Sequence, residues 1–140
     1  MKATLEDAVF GTLTWDEDAE MYSGEAEFRP GQRVAVQVVV NNADETSPRE
    51  LKAFLSAARA QFQRLQADDA AFRDKAAGLF RKALQKAARP ATDGAALNDA
   101  LALAAIEIHN TGMTRLLYGA GSVWPKKRVS FFVDGSDRVV

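Results

Sequence analysis

Glu107 and His109 come nearest, among the residues of this chain, to a spacing that could do chemistry. Two positions apart on a strand they share a face, and a carboxylate beside an imidazole can orient a general base. His109 is the single histidine, and the absence of cysteine excludes a thiol nucleophile, a disulfide and a thiolate metal site. A hydroxyl nucleophile would have to come from Thr111, Thr114 or Ser122. None of these lies in the strand–turn–helix context that exposes a nucleophilic serine. A structural or surface role is therefore expected for His109, and no catalytic residue is assigned.

The densest polar cluster is Asp16-Glu17-Asp18-Ala19-Glu20. Counted from Asp16, carboxylates fall at positions 1, 3, 5 and 12 (Asp16, Asp18, Glu20, Glu27), a partial echo of a calcium loop. Met21 takes the sixth position, where such a loop needs glycine, and the flanking segments read as strands rather than helices. The cluster is expected to be a solvated hairpin tip with no metal. Asp16, Glu17, Asp18 and Glu20 are the candidate partner-binding residues. Gly119-Ala120-Gly121-Ser122 lacks the lysine and the glycine spacing of a phosphate loop and reads as a turn. Lys126-Lys127-Arg128 beside Trp124 has the composition of a single-strand binder, but one basic tripeptide in a chain of pI 5.8 implies no nucleic-acid partner.

The elements that must hold these residues follow from periodicity. Val9–Trp15, Met21–Phe28 and Arg33–Asn41 alternate as strands, and Arg29-Pro30-Gly31-Gln32 has the chemistry of a tight turn between the last two. Ser47-Pro48-Arg49-Glu50 is a capping box with proline at N1. Behind it, Leu51, Phe54, Leu55, Ala58, Phe62 and Leu65 recur every three or four residues as one helical stripe. Asp68 or Asp69 can cap a second helix carrying Phe72, Ala76, Leu79, Phe80, Ala83 and Leu84. Basic residues from Arg81 to Arg89 collect in its last turns, and Pro90 ends it. A loop is expected at Ala91–Gly94. Ala95–Ile108 mixes helical alanines with strand alternation, which a helical turn followed by a bulged strand satisfies. Thr114–Tyr118 and Arg128–Val133 complete the strands. The expected fold is α+β: an antiparallel sheet, made of an N-terminal three-stranded meander plus C-terminal strands, with the central helical pair packed on one face.

Composition sets the remaining bounds. With 140 residues, 47% hydrophobic and 26% charged, the chain is expected to form a single domain over 1–140. Its first twenty residues are acidic and unlike a signal peptide, and the longest apolar run, Ala100 to Ile106, falls far short of a membrane span. A cytoplasmic protein with no membrane contact is the expectation. Charge is uneven: residues 1–50 hold 11 acidic and 4 basic side chains, whereas residues 51–90 hold 3 and 9. The acidic strands and basic helices can attract one another, or one surface can steer a partner of opposite charge.

The pattern Asp7-x-Val9-Phe10-Gly11-x-Leu13-x-Trp15-Asp16, followed by Tyr22-x-Gly24-x-x-x-Phe28, resembles the opening signature of a family of uncharacterised bacterial domains of unknown function. Ile106-x-Ile108, Leu117-Tyr118, Trp124 and Val129–Gly135 are similar to it in order, so the resemblance covers most of the chain. Pro125-Lys126-Lys127 stands where that family would have a small residue and then histidine. The resemblance implies an α+β fold and a bacterial origin but no activity and no cofactor, and by analogy an immunity-type binding role. The expected function is a non-enzymatic protein-binding module that meets a basic protein or self-associates. The alternative is a small-molecule hydrolase using His109 and Glu107.

Overall fold

A computed structural model describes residues 1–87 and 94–140. Its strands are β1 (Thr4–Asp7), β2 (Gly11–Asp16), β3 (Met21–Arg29), β4 (Gln32–Val39), β5 (Ala102–His109), β6 (Thr114–Ala120) and β7 (Trp124–Val133). Between β4 and β5 come a 3-10 turn (Ala43–Glu45) and three helices, α1 (Pro48–Ala67), α2 (Asp69–Lys86) and α3 (Gly94–Ala100). Pro90, Arg89 and residues 91–93 of the expected loop lie outside the described residues.

The seven strands form one sheet in sequence order. All neighbours are antiparallel except β4 and β5, which run parallel with Val36 beside Ile106 and Val38 beside Ile108. This corrects the expected sheet in two ways. Parallel neighbours need a long crossover, and the helices supply it. The N-terminal part also has four strands, because Thr4–Asp7 pairs with Gly11–Thr14 at the sheet's edge.

Strand alternation sorts the side chains cleanly. Leu13, Tyr22, Val36, Val38, Ile106, Ile108, Leu116 and Val133 share one face and are almost completely buried. Phe62 of α1 meets Phe28 of β3 edge-on at 5.7 Å, and Phe72 of α2 lies 6.3 Å from Phe131 of β7. Apart from Gly119, residues of the opposite parity on these strands are exposed or half-buried. Phe10 departs from its expected place. It lies in the turn before β2, where Gly11 adopts a φ of 67°, and the redirected chain drives its ring into the core against Phe62 at 5.4 Å.

The helices begin as their sequences dictate, with one exception. Ser47 accepts from the Glu50 N–H at 3.1 Å and Glu50 accepts from the Ser47 N–H at 3.3 Å, so the capping box is complete. At α2, Asp68 holds the N-cap position without a side-chain cap bond, whereas Asp69 turns inward. Its buried carboxylate pairs with Arg29 and receives the Tyr118 hydroxyl at 3.5 Å. A buried carboxylate needs a counter-charge, and that outweighs its use as a cap. Ala95–Ile108 divides into α3 and β5, with a register irregularity between Leu103 and Ala105.

Candidate binding site at the β2–β3 tip

The acidic cluster forms the turn between β2 and β3, and all four of its carboxylate residues are exposed. Asp16 uses Oδ1 to accept the N–H groups of Asp18 at 3.0 Å and Ala19 at 3.1 Å, the local bonding that suits aspartate to turn initiation. Glu17 accepts the Trp15 indole N–H at 2.6 Å. Glu20 stands at a φ of 51°, and its carboxylate receives the Ala43 N–H at 3.2 Å. Its carbonyl receives the Val40 N–H at 3.0 Å, so two bonds tie the tip to the segment that follows β4. Three of the four carboxylates therefore hold the tip in shape while keeping their charge at the surface. Glu27 lies several residues further along β3. Among the described residues, no group of three or more His, Asp or Glu side chains gathers where it could hold a metal ion.

Beside the tip lies a groove of about 540 Å³. Its apolar walls are Leu5 of β1, Trp15 of β2, and Leu51 and Leu55 of α1; Lys2, Lys52 and Arg59 stand among its polar residues. Each wall is fixed from behind. Trp15 packs on Tyr22 with ring centroids 4.8 Å apart, and the Tyr22 hydroxyl donates to the Lys2 carbonyl at 2.9 Å. The capping box sets the start of α1, and Arg59, which lines the groove, pairs with Asp7 of β1. Asp7 also accepts the N–H groups of Val9 and Phe10 at 2.9 Å each. Burial opposes the Asp7 charge, yet those N–H groups and Arg59 outweigh it and hold the carboxyl below its ordinary value.

The groove was hidden in the sequence because its walls are distant in the chain. Leu51 and Leu55 belong to the helical stripe but are only half-buried, and Trp15 is half-buried too. A hydrophobic stripe whose first turns extend beyond the core is the one signal that could have pointed here.

The other candidates are dispersed. His109 Nε2 lies 2.6 Å from Glu107 Oε1, so the expected pair forms, and Arg115 approaches the same carboxylate at 4.0 Å. By strand parity the pair lies on the sheet face opposite to that of Ile106 and Ile108. Thr114 is on the opposite face, fully buried, donating to Gln61 at 2.6 Å. Thr111 and Ser122 occupy exposed positions at the two ends of β6. Lys126, Lys127 and Arg128 lie on β7 at the sheet's edge, with Lys127 Nζ 5.3 Å from the Trp124 ring, a cation–π contact. Charged side chains and Pro125 on such a strand discourage edge-to-edge pairing.

No family model, curated protein or solved structure matches this chain. Function must therefore be argued from the site itself. No helix among the described residues is long and apolar enough to cross a membrane.

Proposed function

We propose that this chain is a non-enzymatic protein-binding module of the bacterial cytoplasm, of the immunity type, acting through its β2–β3 tip. The observation that carries this reading is the pairing of a bonded, acidic tip with an apolar groove of about 540 Å³. A fixed tip loses little entropy on binding, and the groove accepts an apolar anchor from the partner. Four carboxylates at one turn favour a basic partner and speed its approach. The resemblance to a bacterial family without assigned activity agrees with a binding role. The fold reading that accompanies it is an α+β domain with α1 and α2 as the cover of one sheet face.

The test separates the two parts of the surface. Against a partner isolated from the native host, replacing Asp16, Glu17, Asp18 and Glu20 with Ser should slow association roughly tenfold and flatten its salt dependence. Leu51→Glu, which places a charge in the groove, should instead speed dissociation. Unchanged kinetics in both variants would sink the proposal. A second reading, hydrolysis by Glu107 and His109, draws on their 2.6 Å contact. It requires that His109→Ala abolish turnover of an ester or amide substrate that the native chain cleaves.

A further inference from the structure

Among the described residues β1 pairs with β2 alone, and no strand lies on its other side. The Trp15 N–H donates to the Ala3 carbonyl at 2.9 Å, so the backbone groups of Ala3 face β2. Those of Leu5 and Asp7 follow in alternation and face the same way, opposite Leu13 and Gly11. The N–H and C=O groups of Thr4 and Glu6 therefore point outward, and both residues are exposed. Unpaired backbone groups on an exposed edge are a template for one more strand.

The side chains along this edge are sorted for such a strand. Leu5 lies opposite Leu13, on the face that packs against the helices, and walls the groove with Trp15, Leu51 and Leu55. An added residue directly across from Leu5 would set its own side chain on that face, about 5 Å away at the lip of the groove. Thr4 and Glu6 belong to the other face, where Glu6 accepts the Thr12 hydroxyl at 2.9 Å and stays exposed. Charge on this side of the molecule is nearly all of one sign: residues 1–28 hold eight carboxylates and one lysine. Of the cations on the groove's helical wall, Arg59 is already paired with Asp7 and Lys52 stands exposed.

We propose that the partner docks as an extended basic segment that adds a strand to the free edge of β1, its alternate apolar side chains entering the groove. The inference rests on the binding role given above to the tip and groove, and specifies how a partner engages them. Charge selects the occupant. A second copy brought edge to edge would lay one acidic hairpin along another, which like charges oppose. A segment alternating cationic and apolar residues matches both faces: its apolar side chains lie beside Leu5 and its cations beside Glu6. It also runs past the tip, since Thr4 lies opposite Thr14, two residues before Asp16. Backbone bonds supply affinity whatever the sequence, and the groove and the glutamate supply the choice.

The probe is a short peptide alternating lysine and valine, acetylated and amidated so that its ends carry no charge. Titrated into the native chain, it should bind below millimolar concentration and, at saturation, slow amide hydrogen exchange at Thr4 and Glu6 roughly tenfold. A glutamate–valine peptide should bind about tenfold more weakly. Thr4→Pro removes an outward N–H but no bond of the β1–β2 ladder, a change that edge strands tolerate. It should weaken lysine–valine binding about tenfold with an unchanged thermal midpoint, whereas Thr4→Ala, which keeps the N–H, should bind as the native chain does. No binding at about 1 mM overturns the proposal, as does binding that leaves Thr4 and Glu6 exchanging as before or that survives Thr4→Pro. A native dimer that becomes monomeric in the Thr4→Pro protein would give the edge to a second copy and overturn it too. The tip reading fails separately, when Ser at its four carboxylate positions and Leu51→Glu both leave the native partner's kinetics unchanged.

Discussion

Asp7→Ala is the substitution in which fold and site are most tightly coupled. The side chain is 3% exposed and serves three groups: the N–H of Val9, the N–H of Phe10 and the Arg59 guanidinium. Alanine leaves both N–H groups without a partner in the turn that seats the fully buried Phe10. Arg59, about a third exposed, can turn to water, so its loss adds little. Two hydrogen bonds to an ionised acceptor at about 1.5 kcal/mol each put the cost near 3 kcal/mol. At roughly 3 °C per kcal/mol for a chain of this length, the melting point should fall by about 10 °C.

Urea titration at two pH values tests the reasoning as well as the size. The folded carboxyl ionises below its ordinary value, so the unfolded chain binds the proton more readily. The contribution of Asp7 is therefore complete above the ordinary carboxylate range and fades as the pH falls through the lowered pKa. Native and Asp7→Ala proteins should differ by the full amount at pH 7, and the difference should shrink as the pH falls through the lowered pKa. A loss under about 0.5 kcal/mol at pH 7, where ordinary surface changes fall, would refute it. A gap that persists undiminished in acid would mean that cavity formation, and not the carboxylate, is responsible.

Two further expectations concern the core and the hairpin. Burial raises both tyrosines, Tyr118 to about 12 even against the pull of Arg73 and Arg29. The 295 nm tyrosinate signal of the folded protein at pH 10 should thus be smaller than that of free tyrosine and increase on alkaline unfolding. A free-tyrosine titration curve in the folded state would contradict the packing. Gly24→Ala should destabilise the hairpin by roughly 1–3 kcal/mol, as overpacking does. Its Cβ would stand 2.9 Å from the Thr12 carbonyl and 3.0 Å from Leu13 on the paired strand. A melting point unchanged by that substitution would show that β2 yields more easily than its packing implies.

How far the sequence could be read depended on the range of the interactions. The Ser47–Glu50 capping box and the division of Ala95–Ile108 into helix and bulged strand are local, and local chemistry decided them. Thr4–Asp7 escaped notice because four mostly polar residues carry too little alternation to mark an edge strand. Asp69 looked like a cap because its real partner, Arg29, is 40 residues away. The parallel pairing of β4 with β5 was equally hidden, since it is settled by where α1 and α2 return the chain. At the site, the acidic tip was plain from composition. Its neighbouring groove, assembled from β1, β2 and α1, was not.

The parallel seam between β4 and β5 also bears on when the sheet is completed. Ala35 and Ala105 are neighbours across it, although 69 residues separate them along the chain. On either side, β1–β4 and β5–β7 are each held by adjacent antiparallel partners, contacts that a growing chain can make early. The seam must wait for the whole helical crossover. During synthesis β1–β4 would thus be paired well before β5–β7, with the free edge of β4 briefly open. That interval is the point of greatest exposure to mispairing. It closes when Ile106 and Ile108 arrive beside Val36 and Val38, the step that joins two ribbons into one core.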